Sequence, residues 1–175
     1  MRIIAGSHRG TKIFAPKGLD TRPTSDRVRE AAFNLIGPVD GAAVLDLYAG
    51  SGAMGLEALS RGAESVVFVE SDREACRTID RNLAKLRLGG ARVACSDVLR
   101  FLAGERGTYD LILVDPPYGM VESLAMRLAA YLPAVLADDG LVVLETASKI
   151  EPALSPLTVR TSRRYGSTRV TLLEK

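Results

Sequence analysis

The chain has 175 residues, 47% of them hydrophobic and 25% charged, with a formal net charge of +2. That length suits one domain with a sizeable core, and the composition excludes a disordered, fibrous or disulfide-stapled chain. No stretch approaches 18 apolar residues and the opening MRIIAGSHRG lacks an apolar signal region, so neither a membrane span nor a secretory leader is expected and the chain reads as cytoplasmic.

The charge is unevenly spread. Residues 1–29 carry seven Lys/Arg against two acids, a net of +5, and the remainder is −3. A basic arm on a mildly acidic body suits a polyanion that meets one end of the molecule. Cys76 and Cys95 belong to no CxxC or Cys/His cluster, so no metal site is expected and both read as reduced core residues.

In chain order, residues 2–5 and 11–15 read as short strands around GSHRG, a β-hairpin with a basic tip. Arg9 at the tip, with Arg2 and Lys12 on its flanks, could meet phosphates, and His8 reads as a surface or RNA-contact residue. Residues 16–23 form a connector. Thr24-Ser25-Asp26 offers caps for a helix with Val28, Ala32, Leu35 and Ile36 on one face and Arg27, Glu30 and Asn34 on the other, with Gly37-Pro38 ending it. This divides the chain into a basic hairpin (1–20), a connector with a leading helix (21–40) and a main body (41–175).

From residue 43 strands and helices alternate. A strand is expected to begin at Ala43-Val44-Leu45, with Asp46 and Tyr48 at the end of that run, and further strands at 65–70, 91–95, 109–114 and 141–145. Helices are expected through Met54, Leu56, Ala58 and Leu59, ended by Gly62, and at 72–87, 98–103 and 121–136. Residues 158–163 and 168–173 flank Tyr165-Gly166-Ser167 as an antiparallel hairpin. The pattern predicts an α/β fold: a doubly wound, seven-stranded, mostly parallel sheet with helices on both faces.

Residues 43–59, AVLDLYAGSGAMGLEAL, organise the rest. An apolar strand runs into Gly50, Gly52 and Gly55 (G-x-G-x-x-G), and a helix follows. Such a turn lets a ligand approach backbone N–H groups at a helix N-terminus. With the acid Glu70 twenty residues past the first glycine, as a ribose partner requires, the pattern points to a nucleoside-containing cofactor. Asp46, Glu70, Asp97 and Asp115 all stand at expected strand ends, where such sheets bind ligands. Pro116 and Pro117 after Asp115 remove two N–H donors. They leave an acceptor pair, the Asp115 carboxylate and the Pro116 carbonyl, beside the Tyr118 ring. That wall suits a flat heterocycle with an exocyclic amine. If the sheet winds outward from its first strand, strands one and four are neighbours and Asp115 faces the glycine loop.

Asp115-Pro116-Pro117-Tyr118, with DLYAGSG upstream, resembles the motif of amino-directed S-adenosylmethionine-dependent methyltransferases. The run of RIIAGSHRG, RPTSDRVREAAFNLI, DLYAGSGAMGLEALSRGA and DPPY resembles the RsmD-type bacterial enzymes over essentially the whole chain. The resemblance implies a class I, Rossmann-like methyltransferase that uses S-adenosyl-L-methionine to methylate the exocyclic N2 of a guanine in 16S ribosomal RNA. Its partner would be that RNA or the small ribosomal subunit, with no membrane and a monomer as the expected state. It implies that Glu70, beside Ser71, takes the ribose hydroxyls and that Asp97 with Val98 reads the adenine edge. Tyr48 to Gly55, supported by Asp46, would line the methionine portion. Asp115, Pro116 and Tyr118 would hold the base, with Arg2, His8, Arg9, Lys12, Lys17 and Arg22 toward RNA.

Three other readings use some of these features. A nicotinamide-dependent dehydrogenase shares the glycine loop but has no use for DPPY. A DNA adenine-N6 or cytosine-N4 methyltransferase shares DPPY but usually carries a target-recognition domain. A non-catalytic RNA-binding assembly factor gains nothing from an amine-orienting acceptor pair.

Overall fold

A computed structural model describes residues 1–16, 25–117, 121–151 and 154–175. Seven strands form one sheet in the order β3-β2-β1-β4-β5-β7-β6. They are β1 (Ala43–Leu47), β2 (Ser65–Glu70), β3 (Ala91–Cys95), β4 (Tyr109–Val114), β5 (Leu136–Ala147), β6 (Thr158–Tyr165) and β7 (Thr168–Glu174). The first five run parallel, and β7 is antiparallel to both β5 and β6. β6 and β7 follow each other through the tight turn at Gly166 (φ 63°), so the closing hairpin expected from the sequence forms and supplies the antiparallel edge.

The helices α1 (Asp26–Ile36), α2 (Ala53–Ser60), α3 (Arg73–Leu86), α4 (Val98–Gly104) and α5 (Val121–Val135) cover both faces. Strand side chains alternate between the two layers. Val44, Val66 and Phe68 pack with Ala32 and Phe33 of α1, Leu56 of α2 and Ile79 of α3. Leu45, Leu47 and Ile112 pack with Leu99 and Leu102 of α4 and Leu124, Leu128 and Leu132 of α5. The chain leaves β1 for one face and β4 for the other, so a crevice opens between the ends of these neighbouring strands.

The strand at 141–145 is longer than expected. Leu136, straight after α5, already pairs with Tyr109, and the register then shifts so that Leu141 meets Leu111. Gly140 serves this irregularity, since a Cβ there would stand 3.0 Å from the Tyr109 carbonyl oxygen.

The N-terminal segment doubles back, but its pairing is limited to one antiparallel bridge, Arg2 with Lys12, around a 3-10 turn at Gly6–His8. Regular strands do not form because Ile4 and Ala5 turn their N–H groups to the Glu57 carboxylate, at 2.7 and 2.9 Å. Ile3 and Ile13 enter the α1–α3 core.

Two burial expectations are corrected. Arg29 is wholly buried and does not belong to the surface charge of the arm. Cys95 is exposed because β3 is the edge strand; Cys76 is buried as expected.

Candidate active site

The glycine loop is built by three different demands. Gly50 and Gly52 hold φ of +54° and +77°, the left-handed region that a turn this tight requires. Gly52 donates its N–H to the Ala49 carbonyl at 2.7 Å. Gly55 serves packing instead, since a Cβ there would lie 2.3 Å from the Phe68 ring. Tyr48 also sits at φ +59°, an uncommon conformation for a bulky residue, so the strand turns sharply as soon as it ends.

Two carboxylates fix this loop. Asp46, on β1, accepts the Gly55 N–H at 2.9 Å and so caps α2 from outside the helix. Burial pushes its carboxyl up to about 7. The Gly55 hydrogen bond opposes this, and the negative charges of Asp115 and Glu70 add to it. Asp46, Glu70 and Asp115 therefore feel one another at a single strand-end crevice. Glu70 accepts the Gly50 N–H at 2.8 Å on one oxygen and the Asp72 N–H at 2.8 Å on the other. The second oxygen also takes the Ser71 hydroxyl at 3.4 Å, while the oxygen facing Gly50 keeps a lone pair for a further donor such as a ribose hydroxyl.

Asp97 caps α4 by accepting the Arg100 N–H at 2.9 Å. It is exposed, beside buried Val98. The Tyr48 hydroxyl is pushed up to about 12, by burial first and then by the Asp97 charge, with Arg127 opposing. Ser71 is exposed at the C-terminal end of β2, one residue before the α3 cap Asp72. Opposite the loop, Val114 pairs with Leu47, and the Asp115 N–H approaches the Leu47 carbonyl at 3.5 Å. Asp115 thus stands in register with Tyr48, at the start of the glycine loop. Pro116 is buried and Pro117 is exposed. Tyr118 lies outside the described residues.

The donor set fits a nucleoside cofactor. Two glycines in the left-handed region shape the loop, Glu70 ends β2, Asp46 lies one residue before the end of β1, Asp115 one residue past β4 and Asp97 two residues past β3. Among the described residues no group of three or more His, Cys, Asp or Glu could hold a metal ion. No helix among them is long and apolar enough to cross a membrane.

Residues 1–174 match the family described as Conserved hypothetical protein 95. Ribosomal RNA small subunit methyltransferase D of Escherichia coli (strain K12) is 42% identical over 157 residues, 88% of this chain and 77% of the relative. The chain belongs to this family. The methyltransferase D of Haemophilus influenzae is 35% identical over 163 residues, covering 89% and 83% of the two chains. The structure of a hypothetical protein from Thermus thermophilus superposes with a TM-score of 0.86 at 34% identity, covering 100% of this chain and 99% of the other. The structure of a putative methyltransferase from Escherichia coli superposes with a TM-score of 0.84 at 36% identity, covering 100% of this chain and 97% of the other, and the class I methyltransferase fold expected from the sequence is the fold of this chain.

The tip of the arm, with His8 and Arg9, lies away from the crevice, whereas Met1 at its start receives the Ser51 hydroxyl of the glycine loop at 3.4 Å. The 3-10 turn lies against the C-terminal end of α2: the His8 N–H reaches Ser60 Oγ at 3.0 Å, and Ser60 Oγ donates to the Ala5 carbonyl at 2.7 Å. α2 starts at the glycine loop and runs eight residues away from it, about 12 Å. The tip with His8 and Arg9 is thus at the far end of that helix. Arg2 pairs with Asp26 at 3.3 Å, and Lys12 is exposed. Lys17 and Arg22 lie outside the described residues.

Sequence reasoning missed three buried polar residues. Glu57 is fully buried and takes the Ile4 and Ala5 N–H groups and Arg61 Nε at 2.7 Å, with Arg29 Nε at 3.6 Å. Arg29 reaches Asp26 at 2.9 Å and also donates to the Arg2 carbonyl. Asn82 binds the Phe14 backbone and the Ser51 carbonyl. The one available signal was the family-specific run around Arg29.

Proposed function

We propose that this chain transfers a methyl group from S-adenosyl-L-methionine to the exocyclic N2 amine of a guanine in 16S ribosomal RNA, within the small ribosomal subunit. The methyl transfer to ribosomal RNA follows from the family to which the chain belongs. The guanine N2 target is what the resemblance to the RsmD-type enzymes implies, and the pairing of β1 with β4, which brings the end of β4 beside the start of the glycine loop, supports an exocyclic amine as the acceptor.

The cofactor supplies an electrophilic methyl carbon on a sulfonium, and Glu70, Asp97 and the Tyr48–Gly55 loop are the residues to hold it. The guanine amine is a poor nucleophile because its lone pair is delocalised into the ring. The Asp115 carboxylate and the Pro116 carbonyl would accept its two N–H bonds and turn that lone pair toward the cleft. Tyr118 would offer a ring face to the base. Orientation of this kind can lower a barrier by up to about 7–11 kcal/mol. Asp115 would also stabilise the positive charge that develops on the amine and then pass its proton to water. The base must leave its stack to reach this corner.

Labelled methyl transfer to small ribosomal subunits, naked 16S RNA and duplex DNA tests the substrate. Incorporation at a guanine N2 in the subunit is expected, and incorporation only into DNA would overturn it. Asp115→Ala should keep S-adenosylhomocysteine affinity and lose most turnover. A near-normal rate would remove Asp115 from the amine-orienting role.

A further inference from the structure

We infer that Phe14, Arg81, Lys85 and Lys12 form an RNA subsite on the outer side of α3, in which the Phe14 ring stacks a base and the three cations take flanking phosphates. The inference rests on the ribosomal RNA reading above and adds a contact surface outside the crevice.

Phe14 is 38% exposed, a rare position for a large apolar ring in this chain. It is nevertheless held firmly. Its N–H donates to Asn82 Oδ1 at 2.8 Å, and Asn82 Nδ2 donates to its carbonyl at 3.0 Å. Asn82 is fully buried and also reaches the Ser51 carbonyl at 3.3 Å. One buried amide thus ties an exposed aromatic residue to the glycine loop. A ring that served only the core would turn inward as Ile13 does; Lys12 and Phe14 flank Ile13 and point outward.

The ring is dressed with charge. The Arg81 guanidinium carbon lies 4.3 Å and Lys85 Nζ 4.8 Å from its centroid. Lys85 Nζ also donates to the Lys12 carbonyl at 2.6 Å, which draws the arm and the helix together. Arg81 and Lys85 are one turn apart, about 6 Å along the axis, and Arg73 and Arg77 continue the same spacing toward the cofactor rim at Glu70. Like charges at this spacing weaken a helix. Glu74 offsets the upper half of the row, pairing with Arg77 at 3.7 Å. Among the described residues no carboxylate lies within ion-pair distance of Arg81, Lys85 or Lys12. An aromatic plate with unneutralised cations around it is the chemistry that binds unpaired RNA: stacking for the base, charge for the backbone.

The test is filter binding of the full chain to small ribosomal subunits and to 16S RNA across a salt series. Arg81→Gln with Lys85→Gln should lower affinity about tenfold at about 100 mM salt. It should also flatten the log–log salt slope by about 1.4–1.8, at about 0.7–0.9 per lost phosphate contact. Phe14→Ala should weaken binding by about five- to a hundredfold with the slope unchanged, and Phe14→Trp should retain it. S-adenosylhomocysteine affinity should stay at the wild-type value in all three. Wild-type affinity and slope in both the double variant and Phe14→Ala would overturn the subsite, as would a Phe14→Ala chain that loses thermal stability alone. A wild-type chain that binds subunits but methylates none would instead sink the parent reading and leave the subsite standing.

Discussion

Asp46→Asn isolates a single buried proton. The wild-type carboxyl is 3% exposed, and burial, with the charges of Asp115 and Glu70 behind it, raises it from 3.8 to about 7 against the Gly55 hydrogen bond. In the unfolded chain the same group ionises near 3.8, so the folded state holds the proton more tightly. A raised carboxyl stabilises the fold fully below the unfolded value, and that stabilisation is lost as pH rises to the folded one. From about pH 5 to the midpoint near 7 the loss runs at about 1.36 kcal/mol per pH unit and then levels off, about 3 kcal/mol in total by about pH 8. The amide of the variant does not titrate, and its oxygen can still accept the Gly55 N–H. Urea unfolding of both chains at about pH 5 and pH 8 reads the difference directly. The wild type should lose about 3 kcal/mol more than the variant over this interval. Equal losses in the two chains would refute the reasoning, because every other titrating group is common to both.

Other substitutions follow from the same geometry. Glu57→Ala leaves the Arg29 charge buried beside two unpaired N–H groups and should cost about 3–5 kcal/mol in denaturant unfolding. Gly55→Ala drives a methyl group toward the buried Phe68 ring and should cost about 1–3 kcal/mol, seen as a lowered Tm. Glu70→Ala frees the Gly50 N–H and removes the ribose acceptor, so calorimetric S-adenosylhomocysteine affinity should fall about ten- to a hundredfold. The Cys76 thiol is pushed up to about 12, by burial and then by the neighbouring Cys95, so iodoacetamide at about pH 8 should label exposed Cys95 and spare Cys76 in the native chain.

The sequence alone determined the parallel strands, their helices and the glycine turn. Those features are written locally: apolar runs of five or six residues, a 3.6-residue stripe, and glycines at the positions where the backbone turns left-handed. β2, β3 and β4 lie at their expected residues for that reason. The pairing of β1 with β4 was also legible, because a sheet that winds both ways from its first strand admits few alternatives. Tertiary structure alone decided which polar residues go inside. Arg29 reads as one more basic residue until Glu57, twenty-eight residues away, lies against it. Asn82 reads as helix surface until Phe14 and Ser51 reach it from 68 and 31 residues away. The same holds for the arm, whose tip the sequence left free and the fold seats at Ser60, and for the proton on Asp46. Burial, charge and hydrogen-bond partners at long separation depend on how the layers close, and no local pattern encodes that.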